Sequence, residues 1–405
     1  MTRVLVDCTA SFWKPHNKTG VQRVVREICH RCSSCAPPGV DCLPVQWSMG
    51  AWRSAPISGP GPAYAALRAA AKKCQRTKIS ARAAFKSGNL AAAPVMPAAW
   101  VAYALCRLIV SVASALVALR CQKVGLRHDD RLFLPEPPYR NLGAIKAAQR
   151  RGARIIVLIH DLHAITHPHV LEGGGALRDW LGWAGGHADA ILCVSRHTED
   201  AVRRIFPSND RKTGHFHLGS DAVAPVSSRG AKAFPSPFFL MVGTLAPNKR
   251  HRDALDAFEI LWKDGFSGSL VIIGRLGWLT DDLCARLRSH PERGRRLHWL
   301  DDADDAELAS AYQSAHALVA ASECEGFGLP VVEALARGTP VIASDIPPFR
   351  EVAGPWADYF PMGDAAALAA TLRAVAAEPR RDVSAFVRRG WDEAARDALA
   401  FAATS

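Results

Sequence analysis

The sequence predicts an α/β protein with two successive series of parallel strands and helices. Short apolar runs typical of buried parallel strands occur in both halves, for example residues 153–159 and 269–274. A stretch rich in Pro, Ser and Gly, residues 222–237, separates the two series. The length of 405 residues is enough for two cores. We therefore expect an N-terminal domain over 1–225, a C-terminal domain over 236–380 and a C-terminal helix over 381–405.

Strands in the first half of the chain are expected at residues 3–7, 40–47, 131–134, 153–159 and 190–194. A polar loop containing Thr19-Gly20-Val21 leads into a helix whose buried face includes Cys29 and Cys32. The alternative for these cysteines, a metal site with Cys35, lacks a second cysteine cluster. Ser195 is expected to cap the helix that follows its strand.

An acid-free insert over 51–127 interrupts the α/β pattern. Between residues 42 and 128 there are twelve Lys and Arg residues and no Asp or Glu, which accounts for the net charge of +12. Residues 96–120 form an apolar segment whose uncharged run, between Arg107 and Arg120, is too short to cross a bilayer. We expect a helix lying on an anionic membrane surface, with a helix buried in the domain as the alternative.

The second series has strands expected at residues 238–243, 269–274, 297–299, 317–321 and 341–343. The acidic run 301–305 precedes a helical pattern, so these residues are expected at a helix N-terminus, where negative charge is favourable. A metal site is the alternative for this run. Residues 383–402 are expected to form a terminal amphipathic helix.

The stretch from Ser322 to Asp345 predicts a ligand site. It reads as a strand, a glycine-containing loop and a helix with Pro330 at its first position and Gly338 just past its end. Ligands of open α/β sheets bind at such loops, and free backbone N–H groups at a helix start attract anions. Carboxylates would repel a phosphate, so Glu325 and Glu333 are expected to accept hydrogen bonds from hydroxyl groups beside it. The alternative is that Glu333 caps the helix and Glu325 is a solvated loop residue.

Two further loops carry candidate groups. Lys249 and Arg250 follow the first strand of the second series, and a lysine there can neutralise a phosphate or remain a solvated surface residue. His160 lies at the carboxyl end of its strand, where ligands of such sheets bind, although a structural histidine is equally expected.

These residues resemble the retaining glycosyltransferases of family four, which have the GT-B architecture. The segment from Glu325 through Glu333, followed by Gly338-Thr339-Pro340-Val341-Ile342, is similar to the family's Glu-x7-Glu signature and its flanks. The similarity continues through 243–249, 274–278 and 304–312 and includes His160, Asp161 and Ser195. It covers the C-terminal half and part of the N-terminal half. The fold implied is α/β, with two Rossmann-like domains facing each other across a cleft. The resemblance implies that the N-terminal domain, 1–225, binds the acceptor and that the C-terminal domain, 236–380, binds the nucleotide sugar.

The resemblance implies a role for each matching residue. Glu325 would accept hydrogen bonds from the donor sugar, Glu333 would hold the nucleotide ribose, and Lys249 would bind phosphate. His160 would lie beside the donor sugar, and Gly20 would let the first loop approach the diphosphate. Backbone amides would bind sugar oxygens and diphosphate at Gly326, Phe327, Gly328, Leu329, Pro330 and Val331. Two departures from the family are Thr19-Gly20-Val21 in place of paired glycines and Thr244 in place of arginine, for which Arg250 or another cation would substitute.

The implied function is transfer of a sugar from a nucleotide donor to an acceptor alcohol, with retention and without a metal or other cofactor. Thr244 and the pattern Gly274-x-x-Gly277-Trp278 favour mannose and GDP-mannose. The basic insert favours a lipid-linked or growing surface polysaccharide as acceptor. The N-terminus contains no signal-peptide pattern, so we expect a cytoplasmic protein, peripheral on the inner face of the plasma membrane. The alternatives are a nucleotide-sugar epimerase or hydrolase of the same architecture, and a basic nucleic-acid-binding protein; nucleic acid is not the expected partner.

Overall fold

The computed structural model describes residues 2–13, 19–56, 59–86, 95–138, 141–220 and 234–405. The chain divides into two compact units, Met1–Ile156 with Ala402–Ser405, and Val157–Phe401. Most of the linker expected at 222–237 lies outside the described residues. The domain boundaries expected from the sequence stay a prediction.

The first unit has the following elements in chain order: β1 (Thr2–Asp7), α1 (Thr9–Trp13), α2 (Gly20–His30), β2 (Val40–Ser48), β3 (Ala51–Ser54), α3 (Pro62–Lys86), α4 (Val95–Arg120), β4 (Arg131–Leu134), α5 (Leu142–Arg150) and the start of β5 (Arg154–Ile159). Neighbouring strands follow the order β3-β2-β1-β4. β1 is parallel to β2 and β4, and β3 returns antiparallel to β2. Val4, Leu5 and Val6 of β1 have no exposed surface, so this strand is the centre of the core.

The hairpin of α3 and α4 occupies most of the insert. The hydroxyl groups of Tyr64 and Ser114 lie 3.0 Å apart, and the ammonium of Lys78 lies 3.4 Å from the centre of the Trp100 ring. The first contact joins the start of α3 to the second half of α4, and the second joins the later part of α3 to the start of α4. The two helices are therefore antiparallel. Only 11% of the apolar stretch within Pro97–Arg120 is buried, which contradicts the alternative of a helix buried in the domain. The expectation that this segment is too short to cross a bilayer also needs correction, because the 24-residue stretch Pro97–Arg120 of α4 is long and apolar enough to span a membrane despite Arg107.

The second unit continues in chain order with α6 (His163–Thr166), α7 (Gly175–His187), β6 (Ala190–Cys193), α8 (Arg196–Ile205), β7 (Lys212–His215), β8 (Phe238–Val242), α9 (His251–Lys263), β9 (Ser269–Ile273), α10 (Asp281–Ser289), β10 (Leu297–Leu300), α11 (Asp305–Ser314), β11 (Ala317–Ala320), α12 (Leu329–Leu335), β12 (Val341–Ser344), α13 (Pro347–Ala353), β13 (Ala357–Phe360), α14 (Ala365–Ala377) and α15 (Trp391–Thr404). A six-stranded sheet has the order β10-β9-β8-β11-β12-β13, and all of its pairs are parallel.

The core of the six-stranded sheet contains fully buried Phe239 and Leu270 on strands and Phe258 on α9. Burying one such side chain contributes about 1.5–3 kcal/mol. The order places β8 and β11 at the centre, so the loops after these two strands emerge side by side at the carboxyl edge. These loops carry Lys249 and Glu325.

Several helix ends follow the sequence expectations. The Ser195 hydroxyl accepts a hydrogen bond from the Thr198 amide, and Asp304 and Glu307 form a capping box at α11. The acidic run therefore does lie at a helix N-terminus. α15 begins at Trp391 rather than at residue 383, and the Gly390 amide before it donates to the Glu393 carboxylate, 2.9 Å away.

Candidate functional site

The loop between β11 and α12 adopts a backbone conformation that depends on its glycines. Gly328 has φ +105°, a left-handed conformation that other residues rarely adopt. α12 begins at Leu329, so Pro330 is its second residue, not its first. A proline in the first turn removes an N–H that has no helical partner, which is why it is tolerated there.

Gly326 is held against the segment that follows β5. A Cβ atom at Gly326 would lie 1.7 Å from the carbonyl oxygen of His160, so no larger residue fits without a shift. The carbonyl of Gly326 accepts hydrogen bonds from the hydroxyls of Ser195, at 2.6 Å, and Thr198, at 3.2 Å. Ser195, predicted only as a cap, thus also fixes the loop.

Glu325 and Lys249 form an ion pair in which Nζ lies 2.5 Å from Oε1. The Ser322 hydroxyl donates to the same oxygen at 2.7 Å. The side chains are 13% and 21% exposed, so the pair is largely shielded from water yet accessible. Two candidate groups 76 residues apart in sequence are therefore in direct contact. The roles expected for them stay predictions.

Glu333 lies deeper than Glu325. It is 6% exposed, and the Tyr312 hydroxyl donates to its Oε2 at 3.0 Å. The Arg337 guanidinium lies 5.1 Å from the centre of the Tyr312 ring. The hydrogen bond from Tyr312 fixes the orientation of this carboxylate, and a group that positions a ligand needs such support.

The backbone amides of this loop differ from the sequence expectation at its end. The Val331 amide donates to the carbonyl of Gly328 at 2.9 Å, and Pro330 has no N–H, so neither is available to an anion. Within the part of the chain that the structure describes, the amides of residues 326–329 donate no hydrogen bond. The Phe327 side chain is buried with its ring 5.6 Å from that of His217, so only its backbone is available to a ligand.

The remaining predicted residues lie in different settings. Arg250 is ion-paired with Asp253 at 2.7 Å and with Glu323 at 3.4 Å, which occupies its guanidinium. Thr244 is half-buried in the turn after β8. Gly20 is exposed at the first residue of α2, in the other compact unit.

A cavity of about 340 Å³ opens beside Glu325 within the second unit. Its polar lining consists of Asp161, His163, Thr166, His167, His197, Thr198, Arg204, Glu323 and Glu325. Burial lowers the pKa of His197, and burial together with the charge of His163 lowers that of His167, so these rings are neutral hydrogen-bonding groups at neutral pH. The sequence reasoning missed the three histidines. Asp161-x-His163 directly after a strand is the one local signal that pointed to them.

Glu351 on α13 ties two walls of this cavity together. It accepts hydrogen bonds from the backbone amides of Arg196, at 2.7 Å, and His197, at 3.0 Å, and from the His217 ring at 2.7 Å. Burial opposes its ionisation, but the bonds from His217 and the two amides outweigh burial and lower the pKa of Glu351 to about 2. The carboxylate stays charged at any physiological pH and holds the start of α8.

No three His, Cys, Asp or Glu side chains among the described residues are grouped so as to hold a metal ion. Cys29 and Cys32 are buried, and hydrogen bonds from Cys32 and Cys8 together with burial raise the pKa of the Cys29 thiol. A protonated thiol is a poor metal ligand.

Residues 228–396 match the family model described as glycosyl transferases group 1. The serotype-specific mannosyltransferase WbdA of Escherichia coli is 38% identical over 237 residues, which is 53% of this chain and 29% of that protein. The O-antigen chain mannosyltransferase B of Escherichia coli is 29% identical over 252 residues, or 58% of this chain and 61% of that one. The chain thus spans less than a third of the length of the first of these relatives.

Among solved structures, sucrose-phosphate synthase from Thermosynechococcus elongatus superposes with a TM-score of 0.57 at 16% identity. The match covers 99% of this chain and 94% of that one. At this identity the similarity concerns the fold alone, and it confirms the expected GT-B class.

Proposed function

We propose that this chain, whose residues 228–396 match the family model described as glycosyl transferases group 1, transfers mannose from a nucleotide donor to an acceptor alcohol. GDP-mannose is the proposed donor, and a lipid-linked or growing surface polysaccharide is the proposed acceptor. The observation that carries the proposal is the Lys249–Glu325 pair at the edge of the cavity, beside backbone amides with no partner among the described residues. The names of the two mannosyltransferase relatives support the choice of sugar.

In this proposal the donor diphosphate displaces Glu325 from Lys249. The ammonium and the amides of residues 326–329 then stabilise the negative charge that builds up on the leaving nucleoside diphosphate. Glu325, released from the ion pair, accepts hydrogen bonds from the sugar hydroxyls. Because the ammonium and amides supply the positive charge, this mechanism requires no metal ion.

The other groups complete the donor site. Glu333 receives the ribose hydroxyls, and His160 lies beside the sugar. The departing phosphate oxygen takes the proton of the acceptor hydroxyl on the same face of the sugar, which retains the anomeric configuration. Arg250 already neutralises Glu323 and Asp253, so its contribution to donor binding is to keep Glu323 from repelling the diphosphate.

A panel of nucleotide sugars tests donor choice by thermal shift. We expect GDP-mannose to raise the melting temperature more than UDP-glucose or UDP-N-acetylglucosamine, since a ligand at 100 times its Kd stabilises by about 2.7 kcal/mol. Glu333→Gln should reduce the shift because the ribose loses a charged acceptor. Glu378→Gln, on an exposed residue, is the matched control. Equal shifts for all donors, or an unchanged shift in Glu333→Gln, would contradict the assignment.

Product analysis separates transfer from the two alternatives. A transferase releases GDP only in step with glycan growth, whereas an epimerase or hydrolase yields free sugar without an acceptor. A nucleic-acid-binding protein would bind duplex DNA with a steep dependence on salt and show no donor-induced shift.

The exposed face of α4 supports a peripheral membrane location. Seven apolar side chains between 49% and 62% exposed lie on this face: Val101, Leu105, Leu108, Ile109, Val112, Leu116 and Leu119. At 100° per residue they fall within an arc of about 100°, while buried Ala99, Val110 and Ala118 lie on the other side. This arc of large apolar side chains, with Arg107 and Ser111 exposed outside it, suits a helix lying in the interface better than one that contacts lipid around its circumference.

The cations of α3 add electrostatic attraction to this apolar face. Lys72 and Lys73 are exposed, and the hairpin contains no acid. Each cation near an anionic leaflet contributes about 1 kcal/mol. We place the enzyme on the inner face of the plasma membrane, where anionic lipid and nucleotide sugar are both available.

Vesicle sedimentation tests the α4 face. Leu105→Ser, Val112→Ser and Leu116→Ser combined should weaken binding to phosphatidylglycerol vesicles at least tenfold, because three apolar side chains no longer enter the lipid. Val387→Ser, on a side chain that is 89% exposed in the other unit, should leave binding unchanged. The face is not a membrane surface if the triple variant binds as the wild type does.

A further inference from the structure

Two half-buried cysteines face each other across the hairpin of α3 and α4. Nine of the eleven cysteines in the chain are buried, and the other two are Cys74 on α3 and Cys106 on α4. The sulfur atoms of Cys74 and Cys106 lie 3.4 Å apart, although 32 residues separate them in sequence. The two thiols most open to solvent are therefore in contact with each other.

The contact between the two thiols belongs to the seam along which the helices pack. On α3, residues with little or half exposure recur at Tyr64, Leu67, Ala71, Cys74 and Lys78. On α4, they recur at Ala99, Tyr103, Cys106, Val110, Ala113 and Val117. Both sets alternate steps of three and four residues, which is the spacing of two helices packed along one seam. The Tyr64 and Lys78 contacts to α4 lie on either side of Cys74, so the register of the pair is fixed in both directions.

Positive charge surrounds the two thiols. Lys78 lies one helical turn after Cys74, Arg107 follows Cys106 directly, and residues 51–127 contain no Asp or Glu. Nearby cations favour the thiolate, which is the form of cysteine that reacts with a disulfide. The hydrogen bond with Cys74, followed by desolvation, raises the pKa of the Cys106 thiol. Cys106 therefore keeps its proton longer, and Cys74 is the thiolate that reacts first.

We propose that Cys74 and Cys106 form a reversible disulfide that locks α3 against α4, with a low-molecular-weight disulfide as the oxidant. The Cys74 thiolate attacks one sulfur of the oxidant, which forms a mixed disulfide and releases one thiolate. Cys106 then loses its proton and attacks the Cys74 sulfur, which closes the bond between the helices and releases the second thiolate. The two protein thiols lose two electrons and two protons, and the oxidant leaves as two thiols.

The bond would change the freedom of the hairpin and not its arrangement. Cys74 and Cys106 each lie near the middle of their helix, so a bond between them prevents the helices from separating along the seam. The exposed apolar residues of α4 lie outside the seam and stay directed away from α3. Disulfides in a reducing compartment are transient and respond to redox conditions. The rigidity of the segment that carries the α4 face then follows the redox state of its surroundings, whatever donor or acceptor the enzyme uses.

Treatment of the folded, full chain with oxidised glutathione tests the proposal. We expect the intact mass to fall by two hydrogens, peptide mapping to place the bond between Cys74 and Cys106, and dithiothreitol to reverse it. Trypsin cleavage after Lys73, an exposed residue of α3, should slow at least tenfold in the oxidised protein, because the bond restricts the local opening that a protease needs. Dithiothreitol should restore the original cleavage rate.

Cys74→Ser combined with Ala69→Cys is the matched control. It keeps two thiols on the hairpin but moves one to an exposed position on the opposite side of α3 from the seam. This variant should form no intramolecular bond, and its trypsin cleavage rate should be the same with and without oxidant. The proposal is overturned if the treated wild type keeps both thiols free, or retains glutathione on Cys74 or Cys106 instead of closing the bond. An equal yield of the bond in the control variant, or a bond that leaves the cleavage rate unchanged, also overturns it.

Discussion

Lys249→Met and Glu325→Gln are each expected to lower kcat for sugar transfer by about 10²–10³-fold, the usual effect of removing one preorganised group that stabilises transition-state charge. Lys249 is the cation next to the free amides of the loop, and Glu325 is its partner at 2.5 Å. Without Lys249 the diphosphate would face the Glu325 carboxylate unneutralised. Steady-state kinetics with GDP-mannose and a glycan acceptor measure the loss.

A double variant separates catalysis from stability. Each single change leaves an uncompensated group in a largely shielded position, so each should lower the free energy of unfolding, whereas Lys249→Met with Glu325→Gln should recover part of it. Activity should not recover in the double variant. Lys263→Met, on an exposed lysine of α9, is the control and should retain wild-type kcat. Recovery of activity in the double variant would show that the pair is structural.

Gly326→Ala is expected to abolish transfer almost completely and to lower the free energy of unfolding by about 1–3 kcal/mol, the range for overpacking a tight site. The new Cβ would lie 1.7 Å from the His160 carbonyl oxygen and 3.3 Å from the Asp161 Cβ. The loop must move, which breaks the 2.6 Å hydrogen bond from Ser195 to the Gly326 carbonyl and displaces Glu325. Chemical denaturation and kinetics measure the two effects.

Gly182→Ala provides the matched comparison. Gly182 lies within α7, and a Cβ there meets no atom within 4 Å. This change should leave activity intact and stabilise by about 0.5–1 kcal/mol, since alanine favours a helix. Normal activity in Gly326→Ala would show that the close approach to His160 is not needed for catalysis.

Local patterns in the sequence were sufficient for much of the fold. Buried parallel strands are continuous apolar runs, so β4 matches its expected limits, and the Ser195 cap follows from a hydroxyl at the start of a helix. Helix α3 was not predicted, because its Ala, Lys and Arg residues show no strong apolar period. The start of α15 was misplaced, because its preceding Gly390 was not recognised as a boundary.

The candidate site was only partly predictable. Loop position and residue type identified Glu325 and Lys249, but their contact depends on β8 and β11 being adjacent in the sheet. His163 follows a strand directly, but His167 and His197 line the cavity through contacts distant in sequence, which no local pattern encodes. The Val331 amide is not available to an anion, and this could be seen only from the backbone geometry after Gly328.

The exposed face of α4 has a kinetic consequence. Under the proposed membrane contact, the enzyme would meet a lipid-linked acceptor by lateral diffusion in two dimensions, so the relevant acceptor concentration would be its surface density and not its bulk value. Confinement of this kind raises the effective concentration without any new contact between enzyme and glycan. The enzyme can then release a weakly bound glycan after each addition and encounter another before leaving the membrane.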